Sequence, residues 1–170
     1  MKRLTLMRHA NAQWKDPQLA DFDRPLSRRG QLEAEAMGRR FVELHLAPTI
    51  VLTSPALRAR HTADIMVREV GLPPRNLRTE ESLYLAPSEE ILRIIHSTGP
   101  RIPHLMIVGH NPGITEVANL FAPAQTIEAL ATGAVCTLTF DSRSWADVEA
   151  GNLRDSLSES PPVRLFALWA

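Results

Sequence analysis

Short apolar runs recur along this chain and predict the strands of a sheet. Residues 3–7, 49–54 and 105–109 are too short for buried helices and are dominated by aliphatic and β-branched side chains. Residues 134–140 and 162–169 have the same character and are assigned to two further strands. We therefore expect five strands.

Apolar residues also recur at helical spacing between these runs. Ala34, Met37, Phe41 and Leu44 form one apolar stripe, and Ser27, which precedes them, is a typical helix N-cap. We predict four helices in the intervening stretches, at residues 28–46, 56–70, 88–97 and 114–121. The polar segment 141–160 is predicted to be a loop or partial helix.

This alternation of strands and helices is typical of an α/β fold. The prediction is a three-layer α/β/α arrangement in which helices cover both faces of a mostly parallel sheet. The last strand is a candidate for antiparallel pairing at an edge of the sheet. Because the chain shows no repeat or linker, residues 1–170 are interpreted as a single domain.

Composition narrows the classes of partner and compartment. Lys and Arg balance Asp and Glu at 19 each, so we expect neither nucleic acid nor an anionic membrane as partner. The single Cys136 excludes a disulfide framework within the chain. No apolar stretch approaches a membrane span, and the run at 4–7 is too short for a signal-peptide core. We therefore expect a soluble, cytoplasmic protein.

Polar side chains follow three of the predicted strands, at the point where each strand ends. Arg8 and His9 end the first strand, Ser54 the second and His110 the third, and Arg58 lies in the first turn of the helix after Ser54. Because ligands of open α/β sheets bind outside the carboxyl ends of the strands, we expect these residues to share one site.

The residue types at this edge favour phosphate chemistry. The planar fork of arginine matches phosphate oxygens, and a histidine with one unprotonated ring nitrogen can attack phosphorus. Arg8 beside His9 thus places a phosphate clamp next to a nucleophile. A zinc site formed by His9, His61 and His110 is disfavoured because the arginines would repel a cation. His45, His96 and His104 are expected at the surface.

Three motifs carry a family resemblance that covers nearly the whole chain. LMRHANA at 6–12, TSPALRARHTA at 53–63 and VGHNPG at 108–113 resemble the three signatures of the histidine phosphatase superfamily, which includes the phosphoglycerate mutases. The resemblance implies a phosphoglycerate mutase-like fold and no cofactor or metal.

The resemblance also implies roles for four residues. It makes His9 the phosphorylated nucleophile, Arg8 and Arg58 phosphate ligands, and His110 a second phosphate-binding histidine that donates to the transferring group. Asn11 and Lys15 are further candidates for phosphate binding. The alternatives are a turn residue for Asn11 and a surface lysine for Lys15.

Two features resemble the short SixA-type phosphohistidine phosphatases in particular. Ala10 follows the Arg-His pair where most of the superfamily has glycine, and DFDRPLSRRG occupies residues 21–30. By this resemblance Asp23, Arg24 and Arg28 lie near the mouth of the pocket; the alternative is a solvated turn and helix cap. The resemblance implies a phosphorylated protein, such as a histidine-containing phosphotransfer domain, as partner.

The expected acid of the superfamily has no clear counterpart in this chain. Many members use a glutamate to protonate an alkoxide leaving group, and Glu80 and Glu81 are the nearest candidates. A protonated imidazole is a better leaving group than an alkoxide. It can therefore leave without a general acid, whose help typically raises the rate by about 10²–10⁴-fold. The sequence thus favours a metal-independent phosphohistidine phosphatase. The alternatives are a small-molecule phosphomonoesterase or phosphoglycerate mutase-like enzyme, and a non-catalytic module that binds phosphorylated ligands.

Overall fold

The computed structural model describes residues 1–162 and shows six strands and four α-helices. The strands are β1 (Lys2–Arg8), β2 (Ile50–Thr53), β3 (Leu77–Thr79), β4 (His104–Gly109), β5 (Val135–Phe140) and β6 (Leu153–Glu159). The helices are α1 (Arg28–Glu43), α2 (Leu57–Val70), α3 (Ser88–His96) and α4 (Gly113–Phe121).

The strands form one mixed sheet in the order β3-β2-β4-β1-β5-β6. β1 and β2 both pair in parallel with β4, and β3 pairs in parallel with β2. β5 runs antiparallel to β1, and β6 runs antiparallel to β5. The prediction of a single-domain α/β fold with a mostly parallel sheet is therefore confirmed in its fold class.

Two hydrophobic cores flank the sheet, because alternate residues of each strand point to opposite faces. In β1, Leu4 and Leu6 join the core beneath α3 and α4, whereas Met7 joins the core beneath α1 and α2. Phe41 from α1 and Ile95 from α3 are both fully buried. Each such side chain contributes about 1.5–3 kcal/mol of burial free energy, so the sheet is held rigidly between the helical layers.

A local signal explains where α1 starts. Ser27 caps α1 as predicted, because its side chain accepts a hydrogen bond from the backbone N–H of Gly30. Gly30 itself is required by packing, since a Cβ there would lie 2.0 Å from the backbone oxygen of Asn11. This close approach fixes the first turn of α1 against the segment that follows β1.

Several predicted boundaries are corrected by the structure. Residues 153–159, inside the segment predicted as a loop or partial helix at 141–160, form the edge strand β6, and β3 was not predicted. Both strands carry mostly polar or exposed side chains, so neither has an apolar run. The predicted strand at 162–169 falls almost entirely outside the described residues. In the described part of the chain, no helix is long and apolar enough to cross a membrane.

Candidate phosphate-transfer site

Four predicted site residues meet at the carboxyl edge of the central strands. Arg8 is the last residue of β1, and the backbone N–H of His9 continues the pairing by donating to the carbonyl of Gly109 at 3.0 Å. His110 directly follows β4, and Arg58 lies in the first turn of α2. The parallel register of β1 and β4 thus places His9 and His110 side by side, with ring centroids 5.2 Å apart.

Hydrogen bonds define the tautomer of His9. Its Nδ1 lies 2.8 Å from the carbonyl oxygen of Ala10, which can only accept, so Nδ1 carries the proton. Its Nε2 accepts a hydrogen bond from Nε of Arg58 at 3.3 Å. The lone pair of Nε2 therefore faces the cationic part of the site.

Arg58 connects both histidines to the loop that follows β1. Its Nη1 donates to the backbone oxygen of Asp21 at 2.7 Å, and its Nη2 donates to the Asp21 carboxylate at 3.0 Å. Nη2 also lies 3.5 Å from Nδ1 of His110. The Arg58 side chain is 4% exposed, so this guanidinium forms the floor of the site.

His110 is oriented by Ser54 at the end of β2. The His110 Nε2 lies 2.7 Å from the Ser54 hydroxyl oxygen, which also accepts the backbone N–H of Ala56. We assign the proton to Nε2, since Nδ1 faces a donor on Arg58. The sequence places Ser54 at this edge of the sheet, and the structure adds the contact that holds His110 in place.

Arg8 supplies a second guanidinium. Its Nη1 donates to the carbonyl of Leu130 at 2.9 Å. Its Nε is buried and has no hydrogen-bond partner among residues 1–162. Because buried donors are nearly always satisfied in native proteins, this N–H is a candidate ligand for an anion.

The electrostatics of the site keep both histidines neutral. Burial, together with the charges of Arg58, Arg8 and Arg24, lowers the pKa of His9 to about 4. Burial and the neighbouring His9 and Arg58 lower the pKa of His110 to about 3. At neutral pH the Nε2 of His9 is therefore unprotonated, as attack on phosphorus requires.

Sequence reasoning missed Asp21, which is the carboxylate in direct contact with this site. Its Oδ1 accepts from Nη1 of Arg24 at 3.0 Å, and its Oδ2 accepts from both Arg58 and the Tyr84 hydroxyl, the latter at 2.8 Å. Partial burial opposes ionisation, but the hydrogen bonds from Tyr84 and the two arginines lower the pKa of Asp21 to about 2. Asp21 is therefore a carboxylate at neutral pH.

Comparison with known proteins identifies the family. The model of the histidine phosphatase superfamily (branch 1) matches residues 4–83. An uncharacterised protein of Mycobacterium tuberculosis is 32% identical over 154 residues, covering 85% of this chain and 93% of its own length. The chain belongs to the histidine phosphatase superfamily.

Two further proteins are similar to this histidine phosphatase over most of its length. An uncharacterised chloroplast protein of Arabidopsis thaliana is 35% identical over 132 residues, or 72% of this chain, and the chain spans 60% of that protein's length. A crystal structure described as a candidate phosphohistidine phosphatase, SixA from Agrobacterium tumefaciens, is 27% identical. It has a TM-score of 0.77 and covers 93% of this chain and 98% of its own. Membership and this likeness support a phosphatase activity.

In this histidine phosphatase, α1 and α2 secure the segment that carries His9. The backbone N–H of Ala10 donates to the Thr62 hydroxyl at 3.0 Å, and that hydroxyl donates to the carbonyl of Arg58 at 2.7 Å. The fully buried Glu33 accepts the backbone N–H of Asn11 at 2.8 Å. These contacts fix the backbone directly after His9.

The structure does not bring the other two phosphate-binding candidates to His9. The side-chain oxygen of Asn11 accepts a hydrogen bond from the Ser27 hydroxyl at 2.6 Å. Lys15 is exposed and makes no hydrogen bond or ion pair within the described range 1–162. Their roles in binding phosphate stay predictions.

The remaining charged candidates lie at or beyond the mouth. Arg24 contacts Asp21, as its predicted position implied, whereas the exposed Asp23 makes none of the contacts of Asp21. Glu80 accepts from the Ser82 hydroxyl at 2.9 Å and lines a separate cleft of about 520 Å³, and Glu81 lies in a short 3₁₀ turn. Neither glutamate contacts the histidines.

His61 and Cys136 lie outside the site. His61 lines a shallow surface hollow between α1 and α2 rather than the site of His9. Over residues 1–162, no group of three or more His, Cys, Asp or Glu side chains has the arrangement of a metal site. Cys136 is buried in β5, and burial raises the pKa of its thiol, which favours an unreactive thiol.

Proposed function

We propose that this histidine phosphatase hydrolyses phosphohistidine through a covalent phosphohistidine on His9. The observation that carries the proposal is the unprotonated Nε2 of His9. The ring is neutral at physiological pH, and the Nδ1 contact to Ala10 fixes its tautomer and orientation. Two guanidiniums and a second histidine surround that nitrogen. Such donors stabilise the charge on the equatorial oxygens of a phosphoryl group in transit.

The reaction has two balanced steps. In the first, the Nε2 lone pair of His9 forms a bond to phosphorus while the bond from phosphorus to the substrate nitrogen breaks, and the imidazole leaves with the proton it carries. In the second, water attacks phosphorus, inorganic phosphate departs and Nε2 of His9 regains its lone pair. Neither step requires a metal or a cofactor.

The protonation states at the site support nitrogen rather than oxygen leaving groups. Asp21 is ionised and accepts hydrogen bonds from three donors, and Glu80 and Glu81 lie elsewhere. The described site therefore holds no carboxylic acid ready to protonate an alkoxide. A phosphohistidine substrate has no need of one, because its imidazole can leave in protonated form.

Exposed apolar side chains around the mouth support a protein as the substrate. Trp14 is 78% exposed and stacks on Arg24, whose guanidinium carbon lies 3.3 Å from the ring centroid. Phe22 packs edge-on against Tyr84, and the neighbouring Leu85 is 56% exposed. Clustered apolar side chains of this kind mark surfaces that dock other macromolecules.

Phosphate release from a phosphohistidine peptide tests the proposal. Wild-type protein should release phosphate in the presence of EDTA and should carry acid-labile label when it is quenched during turnover. His9→Ala should lose both, whereas the control His61→Ala should keep both. Retention of turnover by His9→Ala, or its loss to EDTA, would contradict the mechanism.

The same assay separates the alternatives. A phosphomonoesterase would hydrolyse an alkyl phosphate such as glycerol 3-phosphate better than the phosphohistidine peptide, and a non-catalytic binding module would release phosphate from neither. For the protein substrate, Trp14→Ser should raise KM for a phosphohistidine protein and leave KM for free phosphohistidine unchanged. Val42→Ser, an exposed apolar position on α1, is the matched control.

A further inference from the structure

The guanidinium of Arg58 has most of its hydrogen-bonding capacity engaged. A guanidinium has five N–H donors. Those of Arg58 contact four acceptor atoms, namely Nε2 of His9, Nδ1 of His110, and the backbone oxygen and Oδ2 of Asp21. A two-pronged grip on a phosphoryl group therefore requires the release of an existing contact.

We propose that the carboxylate of Asp21 competes with the phosphoryl group for Arg58, so that substrate binding and phosphate release are an exchange of two anions on one guanidinium. The proposal rests on the proposed function only in taking Arg58 as a phosphate ligand. It makes Asp21 a specificity-determining residue of the site.

The exposure of the two partners shows which one moves. The Asp21 side chain is 46% exposed, whereas that of Arg58 is 4% exposed. A rotation of the Asp21 side chain towards solvent frees Nη2 of Arg58. The backbone carbonyl of Asp21 remains on Nη1 and keeps the guanidinium oriented.

Arg24 holds the carboxylate at the mouth while it is displaced. It binds the Oδ1 of Asp21, whereas Tyr84 donates to the Oδ2 that Arg58 also holds. Arg24 is itself anchored, because its Nε donates to the carbonyl of Gln13 at 2.9 Å. The carboxylate therefore stays close enough to return to Arg58 and assist the departure of phosphate.

The exchange discriminates between anions by charge. A phosphoryl dianion replaces the single charge of a carboxylate with a larger one, so the exchange gains Coulomb energy at a buried guanidinium. A monoanionic phosphodiester or carboxylate replaces one single negative charge with another, so this exchange gains no such Coulomb energy. We therefore expect the site to select terminal phosphoryl groups over diesters.

Calorimetric titration with inorganic phosphate, at a pH where phosphate is dianionic, tests the exchange. Asp21→Asn should bind phosphate about tenfold more tightly than wild type, the value of one hydrogen bond to a charged group that no longer competes. The control Asp23→Asn removes the same charge from the same 3₁₀ turn and should change affinity by less than about twofold. The thermal midpoint of each variant shows whether it is folded.

A second variant keeps the test independent of Asp21 itself. Tyr84→Phe removes one donor to the Asp21 carboxylate and retains the ring that faces His110. Because that donor also holds the carboxylate in the site, its loss should tighten phosphate binding by less than Asp21→Asn does. In both variants inhibition by product phosphate should strengthen along with binding.

The outcomes separate this proposal from others. Unchanged or weaker phosphate binding by Asp21→Asn overturns it and makes Asp21 a positioning residue for Arg58. A lower kcat with unchanged affinity also overturns it and assigns Asp21 to proton transfer. If Asp21→Asn binds phosphate more tightly but the wild type does not hydrolyse phosphohistidine, the exchange is supported and the proposed function is contradicted. If the wild type hydrolyses phosphohistidine but Asp21→Asn does not bind phosphate more tightly, only the exchange is contradicted.

Discussion

The two ends of β4 carry two histidines that look alike by burial and differ in chemistry. His104 opens the strand and is 5% exposed; His110 follows it and is 3% exposed. Burial lowers the pKa of His104 to about 4 and that of His110 to about 3. A perturbed pKa is therefore not what distinguishes the proposed phosphate site from the rest of the molecule.

The neighbours of the two rings account for the difference. The Nε2 of His104 lies 2.9 Å from the Thr5 hydroxyl, which in turn lies 2.9 Å from the Thr137 hydroxyl, so three strands are tied together inside the sheet. His110 instead faces His9 and Arg58 at the carboxyl edge. The ring at one end is held inside the sheet by a neutral hydroxyl, whereas the ring at the other end lies beside the cationic guanidinium of Arg58.

Removal of each ring should give the largest contrast. His110→Ala should lower kcat for a phosphohistidine peptide by about 10²–10³-fold, since it removes a ring that can donate to the transferring phosphoryl group once the bound dianion has favoured its protonated form. His104→Ala should retain turnover per folded molecule, because no contact links His104 to His9. Steady-state kinetics corrected for the folded fraction make the comparison, and a similar loss of kcat in both variants would refute it.

Stability should show the opposite order. His104→Ala leaves the Thr5 and Thr137 hydroxyls next to a cavity and should lower the free energy of unfolding by about 2–3 kcal/mol. His110→Ala should lower it by less, because it removes a ring held among positive charges. Urea unfolding followed by circular dichroism measures both changes. A larger loss for His110→Ala would contradict the division between structure and chemistry.

Much of the site was predictable because it depends on strand ends. Arg8, His9 and His110 each follow an apolar run directly, and Arg58 starts the next helix, so the parallel sheet alone brings them together. Asp21 was missed because its loop has no periodicity, and its partners Arg58 and Tyr84 lie 37 and 63 residues away. No local pattern records such a contact.

The errors in the fold have a similar cause. β6 carries mostly polar residues because it is an edge strand, so its sequence lacks the apolar run by which β1, β2, β4 and β5 were recognised. His104 was expected at the surface because it precedes an apolar run. The strand starts one residue earlier, and the pairing with Arg3 places the ring inside the sheet. Burial set by register is not readable from hydropathy.

The acid limb of stability should reflect both histidines. Each has a folded-state pKa below its ordinary value of 6.5, so the unfolded chain binds protons first as pH falls. The free energy of unfolding should therefore be greatest above about pH 6.5 and should decline towards about pH 4. His104→Ala should make this decline shallower, as measured by urea unfolding across that window. If the free energy of unfolding declines as steeply with pH in His104→Ala as in the wild type, the pKa of His104 is the same in the folded and unfolded states.

Bound phosphate should raise the pKa of the histidines at the site and leave that of His104 unchanged. A bound dianion favours the charged imidazole, so it should raise the pKa of His110 and of any other ring that contacts it. Binding near pH 6 should then take up a fraction of about one proton, which calorimetry in buffers of different ionisation enthalpy detects. In His104→Ala the uptake should persist, and in His110→Ala it should diminish. If proton uptake were lost in His104→Ala, the histidine that responds to phosphate would be His104 and not His110.

The smallest expected effect isolates the cationic neighbours from burial. Arg58→Met removes a charge that lowers the pKa of both His9 and His110, whereas the charge that lowers the pKa of His104 is that of Arg3. NMR titration of the imidazole protons should therefore show the pKa of His9 and of His110 rising and that of His104 unchanged. Because burial is the largest cause at all three rings, the rise should be partial. A full return to the ordinary value would mean that the arginine, not desolvation, keeps the nucleophile neutral.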